Sequence, residues 1–133
     1  MGYTHEWRVR FGDVDRAGII YYPRAFEAVQ HATEDLMNDA GFPFHRLIDS
    51  EGWSMPIVNA ETTYLAPVEY GDVVEIELVP ELTEQSVVYS ATGRVDGEDA
   101  FETTVTMVAV DMETFEPRPL PDPVREALEA FAD

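Results

Sequence analysis

An α+β domain, with a five-stranded, mostly antiparallel sheet packed on one long helix and a short helix near the C-terminus, is the fold class this sequence predicts. Three observations carry the prediction. Residues 5–11, His-Glu-Trp-Arg-Val-Arg-Phe, alternate apolar and polar side chains as a half-buried strand does. From Pro23 onward apolar residues recur every three or four positions, the spacing of a helix with one wet face. Four more strand-like segments follow at about 54–66, 73–82, 85–95 and 100–111. The order β-α-β-β-β-β, with no internal repeat or linker, leaves a layered α+β domain covering 1–133.

In the first strand Trp7, Val9 and Phe11 share one side, and Glu6, Arg8 and Arg10 the other. A loop from Gly12 to Tyr22 leads to Pro23, which suits the first helical position because it has no N–H to leave unpaired. Phe26, Val29, Thr33, Leu36 and Ala40 then form the predicted buried face, opposite Glu27, Glu34, Asp35 and Asp39. Gly41 is placed to end the helix in a left-handed conformation. Residues 42–53 are a loop rich in Pro, Gly and aromatics. Tyr70-Gly71-Asp72 and Asp96-Gly97 supply turns between the later strands. Val74, Ile76 and Leu78 alternate with Glu75 and Glu77, again one wet face. Asp122-Pro123 starts a short helix that holds Val124, Leu128 and Phe131. Val73, Val79, Val88, Val108 and Val110 put apolar surface on the second face of the sheet, where a further copy of the chain is the expected cover: a homodimer or homotetramer.

Charge is the strongest feature of the composition. The 133 residues hold 27 acidic side chains and eight basic ones, a net charge of −19, and every basic residue is Arg. Acidic residues are spread over every segment. Self-repulsion of this size destabilises a compact state unless salt screens it, and a salt-rich cytoplasm such as a halophile's accounts for the pattern. Nucleic acid is excluded as a partner because nothing here neutralises many phosphates. No apolar run spans a membrane and the N-terminus has no signal-peptide core, so the expected setting is cytoplasmic. There is no cysteine, hence no disulfide, thiol nucleophile or thiolate metal site.

Candidate chemistry concentrates in Arg10-Phe11-Gly12-Asp13-Val14-Asp15-Arg16-Ala17-Gly18-Ile19-Ile20-Tyr21-Tyr22-Pro23. Two carboxylates stand just before a helix N-terminus, where unpaired N–H groups and the helix dipole favour negative charge. Taken alone, Asp13 and Asp15 are open to three readings: turn and capping residues, a Mg²⁺ or Mn²⁺ site for phosphate chemistry, or one catalytic carboxylate beside donors that polarise a carbonyl. Extended geometry points both side chains the same way, so spacing does not choose between them. His5, His31 and His45 lack metal-ligand spacing and read as structural. There is no Gly-x-Ser-x-Gly elbow and no phosphate-cradling glycine loop.

The segment from Phe11 to Pro23 resembles the signature of the 4-hydroxybenzoyl-CoA thioesterase family of hotdog-fold acyl-CoA thioesterases. Met55-Pro56-Ile57-Val58 and Tyr64-Leu65-Ala66-Pro67-Val68-Glu69-Tyr70-Gly71-Asp72 resemble its second strand and following turn. The resemblance implies a curled sheet around the helix, hydrolysis of an acyl-CoA without metal or other cofactor, and sites assembled across a dimer interface. It implies Asp15 as the catalytic carboxylate, nucleophile or general base. It further implies the Tyr22 backbone N–H as the donor to the thioester carbonyl, Gly18 for close backbone approach, and Tyr21 in the substrate pocket. The family's basic residues before the fourth strand are missing, since Thr83-Glu84-Gln85-Ser86 stands there. Arg94 and Arg118 are the substitutes considered for holding the CoA phosphates. Two rivals remain at this stage: a non-catalytic acyl-thioester binding module, and a metal-dependent hydrolase using Asp13 and Asp15.

Overall fold

The computed structural model describes residues 2–133. A five-stranded antiparallel sheet, in the order β1-β4-β5-β6-β3, curls around one long helix. Its strands are β1 (Tyr3–Arg8), β3 (Ile57–Tyr64), β4 (Val73–Leu82), β5 (Ser86–Val95) and β6 (Glu98–Val108). Two short strands, β2 (Trp53–Ser54) and β7 (Val110–Asp111), pair as a separate ribbon. The helices are α1 (Pro23–Asp39), a single turn α2 (Phe44–Arg46) that runs into a π turn at Leu47–Glu51, and α3 (Asp122–Glu129). This is the hotdog arrangement. No helix among the described residues is long and apolar enough to cross a membrane.

The helix α1 occupies the bounds its sequence predicts, Pro23 at the first position and Gly41 just past its end with φ +91°. Two hydrogen bonds close that end, Gly41 N–H to Asn38 C=O at 3.1 Å and Phe42 N–H to Met37 C=O at 2.8 Å, which satisfies carbonyls the helix leaves open. Its buried face differs from expectation. Ala25, Ala28, Val29, Ala32, Thr33, Leu36 and Met37 are buried, whereas Phe26 and Ala40 are only half-buried. The three alanines let the helix sit low on the sheet, and that close approach turns bulky Phe26 toward the rim.

Strand β1 ends earlier than its alternation suggests. Val9 is still buried, but the chain then turns through a 3₁₀ segment at Phe11–Asp13 and Phe11 is 80% exposed. Asp13 causes the departure, because its Oδ2 accepts the Arg10 N–H at 2.8 Å while its own N–H donates to Arg10 C=O at 3.0 Å. Two side-chain clips fasten β1 to α1: Tyr3 donates to Asp39 Oδ2 at 2.5 Å, and His5 Nδ1 lies 2.7 Å from Asp35 Oδ2. Alternate strand positions thus meet carboxylates one helical turn apart.

The core lies between α1 and the inner face of the sheet, formed by Val74, Ile76, Leu78, Val87, Tyr89, Phe101, Val105 and Met107. Gly93 belongs there too. The Phe101 ring lies over it, and a Cβ at Gly93 would sit 2.3 Å from that ring. Val124 and Leu128 of α3 complete the core, and Phe131 meets the Tyr3 ring edge-on at 5.5 Å. On the outer face Val73, Val79, Val88 and Val108 are half-buried among Ser90, Thr92, Thr104 and Thr106. Val110, expected on that face, is instead buried, because the chain leaves the sheet at Ala109 to join the β2–β7 ribbon.

Candidate active site

The loop before α1 is a miniature hairpin. Tyr21 N–H donates to Asp13 C=O at 2.8 Å, and Asp15 N–H donates to Ile19 C=O at 2.9 Å. Gly18 N–H closes the turn onto Asp15 C=O at 3.0 Å, with Gly18 at φ +87°. A three-residue loop ending in a left-handed residue is a common hairpin geometry, and glycine is the residue that adopts it without strain. No protein atom lies within 4 Å of where a Gly18 Cβ would stand. Conformation alone calls for glycine here, and the space beside it is open. The hairpin is docked on the segment after β3 by Ile20 N–H to Val68 C=O at 2.9 Å and by a bridge between Ile19 and Glu69.

Within the hairpin the two aspartates part company. Asp13 spends Oδ2 on the Arg10 N–H and presents Oδ1 to Arg24 Nε at 3.8 Å. Arg24, on the first turn of α1, also donates to Glu27 Oε2 at 2.9 Å and to Gly12 C=O at 3.3 Å. A guanidinium at a helix N-terminus opposes the dipole, and these acceptors offset that cost. Asp15 is exposed. Its Oδ1 accepts Ala17 N–H at 2.8 Å, a turn contact that fixes the carboxylate and leaves Oδ2 open to solvent. Asp13 holds the loop to the helix, and Asp15 faces outward from it.

The head of α1 presents an unpaired donor. Tyr22 flanks the helix with φ −52° and ψ −34°, so its N–H already points along the helical array, and it takes no acceptor among the described residues. Pro23 contributes none, which leaves the Tyr22 N–H as the exposed end of the dipole. The Tyr22 carbonyl accepts the Tyr64 hydroxyl from the end of β3. Burial holds that phenol above its ordinary pKa, with the neighbouring Tyr22 a smaller cause, so it remains a donor. Beside this contact runs a groove of about 410 Å³, lined by Ile19, Ile20, Tyr22, Tyr64, Leu65 and Val68 among others. Sequence reasoning missed Tyr64 as part of the site, because only the fold brings the end of β3 to the head of α1. Tyr21 is exposed outside the groove lining, its ring edge-on to that of Tyr22 at 5.3 Å.

The remaining sequence candidates lie elsewhere. Arg94, on the outer face of the sheet, donates to Asp99 Oδ1 at 3.0 Å and Glu77 Oε1 at 3.2 Å. Arg118 stacks its guanidinium 5.5 Å from the Trp53 ring centroid. His31 and His45 are exposed, and His5 is the clip described above. Among the described residues no three His, Asp or Glu side chains converge as metal ligands would.

Comparison with known proteins follows the same lines. The profile of the thioesterase-like superfamily matches residues 9–128. A 1,4-dihydroxy-2-naphthoyl-CoA hydrolase from Prochlorococcus marinus is 29% identical over 111 residues, covering 77% of this chain and 74% of its own. A solved gentisyl-coenzyme A thioesterase is 30% identical, covers 94% of this chain and 98% of its own, and superposes with a TM-score of 0.84. A 1,4-dihydroxy-2-naphthoyl-CoA thioesterase from Synechocystis shares the fold, with a TM-score of 0.86 over 96% of each chain at 20% identity.

Proposed function

The chain belongs to the thioesterase-like superfamily and is a thioester hydrolase, and we propose that it hydrolyses an aromatic acyl-CoA to the free acid and CoA with Asp15 as its catalytic carboxylate. The observation that carries the mechanism is an outward-facing, half-free carboxylate on a hairpin that leads directly into an unpaired helix-head N–H. The thioester carbonyl oxygen accepts the Tyr22 N–H, which stabilises the charge that grows on it as the tetrahedral centre forms. Asp15 Oδ2 then acts in one of two ways. As a nucleophile it attacks the carbonyl carbon, expels CoA as the thiolate and forms a mixed anhydride that water cleaves. As a general base it takes a proton from the attacking water, and the C–S bond breaks in the same way.

The apolar groove beside Tyr22 suits an aryl group. The three relatives reported above are named for hydroxylated aromatic acyl groups, dihydroxynaphthoyl in two and gentisyl in the third. A 4-hydroxybenzoyl group belongs to the same class. The groove opens beside β3, which lies at the sheet edge and exposes Ile57, Val58 and Tyr64, with Leu65 exposed just past its end. An apolar edge strand is a template for pairing. Pairing of β3 with a second copy closes the groove and makes the enzyme a homo-oligomer. In this reading the chemistry uses no metal or other cofactor, and Asp13 serves to hold the loop through the Arg10 amide and the Arg24 ion pair.

The test is release of free thiol from a panel of aromatic, short-chain and long-chain acyl-CoAs, in about 2 M KCl to screen the charge, with a chelator present. Turnover confined to aryl-CoA is the expected result. Activity restored only by Mg²⁺ or Mn²⁺ would refute the metal-free mechanism, and acyl-CoA binding without turnover would make the chain a binding module.

A further inference from the structure

The eight arginines divide into two groups. Arg24, Arg46, Arg94, Arg118 and Arg125 each hold a carboxylate, a backbone carbonyl or an aromatic ring. Arg8, Arg10 and Arg16 are exposed, and their guanidinium groups have no such partner among the described residues. All three lie within nine residues of one another, on the strand and hairpin that carry Asp15. In a chain with 27 carboxylates, unpaired guanidinium groups gathered at one place mark where an anion is received.

Arg8 and Arg10 line a groove of about 350 Å³ together with Phe11, Tyr70 and Gly71. Phe11 is 80% and Tyr70 64% exposed, and their rings meet edge-on at 6.2 Å, forming an open aromatic corner. Two neighbouring carboxylates are engaged elsewhere, Asp13 by the Arg10 amide and Arg24, and Asp72 Oδ2 by the Glu69 N–H at 2.8 Å. The groove is also tied to the acyl site. Val68 lines the acyl groove and Tyr70 lines this one, and two residues span at most about 7 Å. Backbone hydrogen bonds fix the link, Val9 N–H to Asp72 C=O at 2.8 Å and Gly71 N–H to Val9 C=O at 3.0 Å. The surroundings of Arg94 are the reverse, a groove lined by Glu6, Glu75 and Asp96 that repels phosphate.

We infer that the Arg8–Arg10 groove anchors the nucleotide end of the CoA thioester, the two guanidinium groups holding phosphate and the Phe11–Tyr70 corner stacking the adenine. The inference rests on the acyl-CoA reading above. Guanidinium–phosphate pairs are directional and charge-assisted, and aromatic faces accept any base by stacking.

The test compares an aryl-CoA with the pantetheine thioester of the same acid, which lacks the nucleotide. For the double variant Arg8→Gln/Arg10→Gln, KM for the CoA thioester is expected to rise about tenfold or more with kcat unchanged. Its kcat/KM for the pantetheine thioester should equal that of the wild type. Equal losses on both substrates would show a structural role and overturn the anchor. So would an unchanged KM for the CoA thioester, or a CoA-specific loss in Arg94→Gln instead. Calorimetric titration with free CoA reads the anchor without turnover, and the double variant should bind at least about tenfold more weakly. If the wild type turns over neither thioester, the catalytic reading falls while the CoA titration still decides the anchor. If it turns over both with equal kcat/KM, hydrolysis stands and the anchor is gone.

Discussion

Asp13 and Asp15 carry the same functional group two residues apart, and burial together with an ion pair to Arg24 assigns them different work. Asp13 is engaged at both oxygens, toward the Arg10 amide and Arg24, whereas Asp15 commits one oxygen to the Ala17 N–H and keeps the other free. Substituting Asp15→Asn keeps the turn contact and removes the nucleophile or base. Its kcat should fall by about 10³-fold or more, with the fold intact by circular dichroism. Asp13→Asn should cost less than about tenfold, by a small shift of the loop. The opposite ranking in steady-state kinetics would exchange their roles. The sequence alone did not make this distinction, because in an extended strand the two side chains are equivalent. They differ only once Arg10, Arg24 and Gly18 bend the chain into a hairpin. Tyr64 was out of reach for a similar reason, its partner being the Tyr22 carbonyl 42 residues away.

Among the elements, α1 was the most legible, since a proline start, apolar periodicity and a glycine stop all agree on Pro23–Asp39. Its buried face was less so. A reading weighted by side-chain size favours Phe26, but packing distance favours Ala25, Ala28 and Ala32. Sheet registry carries a similar size constraint, because Gly93 lies opposite Phe101 and a methyl group there would strike the ring. Gly93→Ala should therefore destabilise the protein by about 2 kcal/mol in denaturant titration. Combined with Phe101→Leu it should cost less than the two single changes added together. Strict additivity would show that ring and glycine do not meet. The turn after β7 is expected to respond to pH. Asp111 Oδ1 accepts the Thr114 N–H at 3.1 Å and the Glu113 N–H at 2.8 Å, and these bonds hold its carboxyl below the ordinary aspartate range. A depressed value means that the contribution is complete above the unfolded carboxyl's pKa and is lost as pH falls through the folded one. The Glu113 and Thr114 amide resonances should follow that acid-side titration in NMR. A midpoint at or above the ordinary range would remove the proposed cause.

At the scale of the whole molecule the net charge of −19 governs behaviour more than any single ion pair. The Debye length shrinks from about 10 Å at 0.1 M salt to about 3 Å at 1 M, which is shorter than most spacings between surface charges. Raising KCl from about 0.1 to 2 M should therefore lift Tm by at least about 5 °C. A Tm that stays flat in differential scanning calorimetry would sever the acidic surface from any adaptation to salt. The net charge itself is read from composition without the fold. It did not reveal that the unpaired guanidinium groups among the described residues gather beside the hairpin that carries Asp15, because only the bond pattern separates a committed guanidinium from a free one.

That every cation is a guanidinium has a further consequence. Activated acyl groups, thioesters and anhydrides alike, transfer readily to amines and thiols, and these 133 residues contain neither lysine nor cysteine. Guanidinium groups stay protonated and are poor nucleophiles. Any reactive acyl group resting on this surface thus meets no side chain able to capture it as a stable amide or thioester. Acylation of lysine and cysteine side chains is thereby closed to this chain.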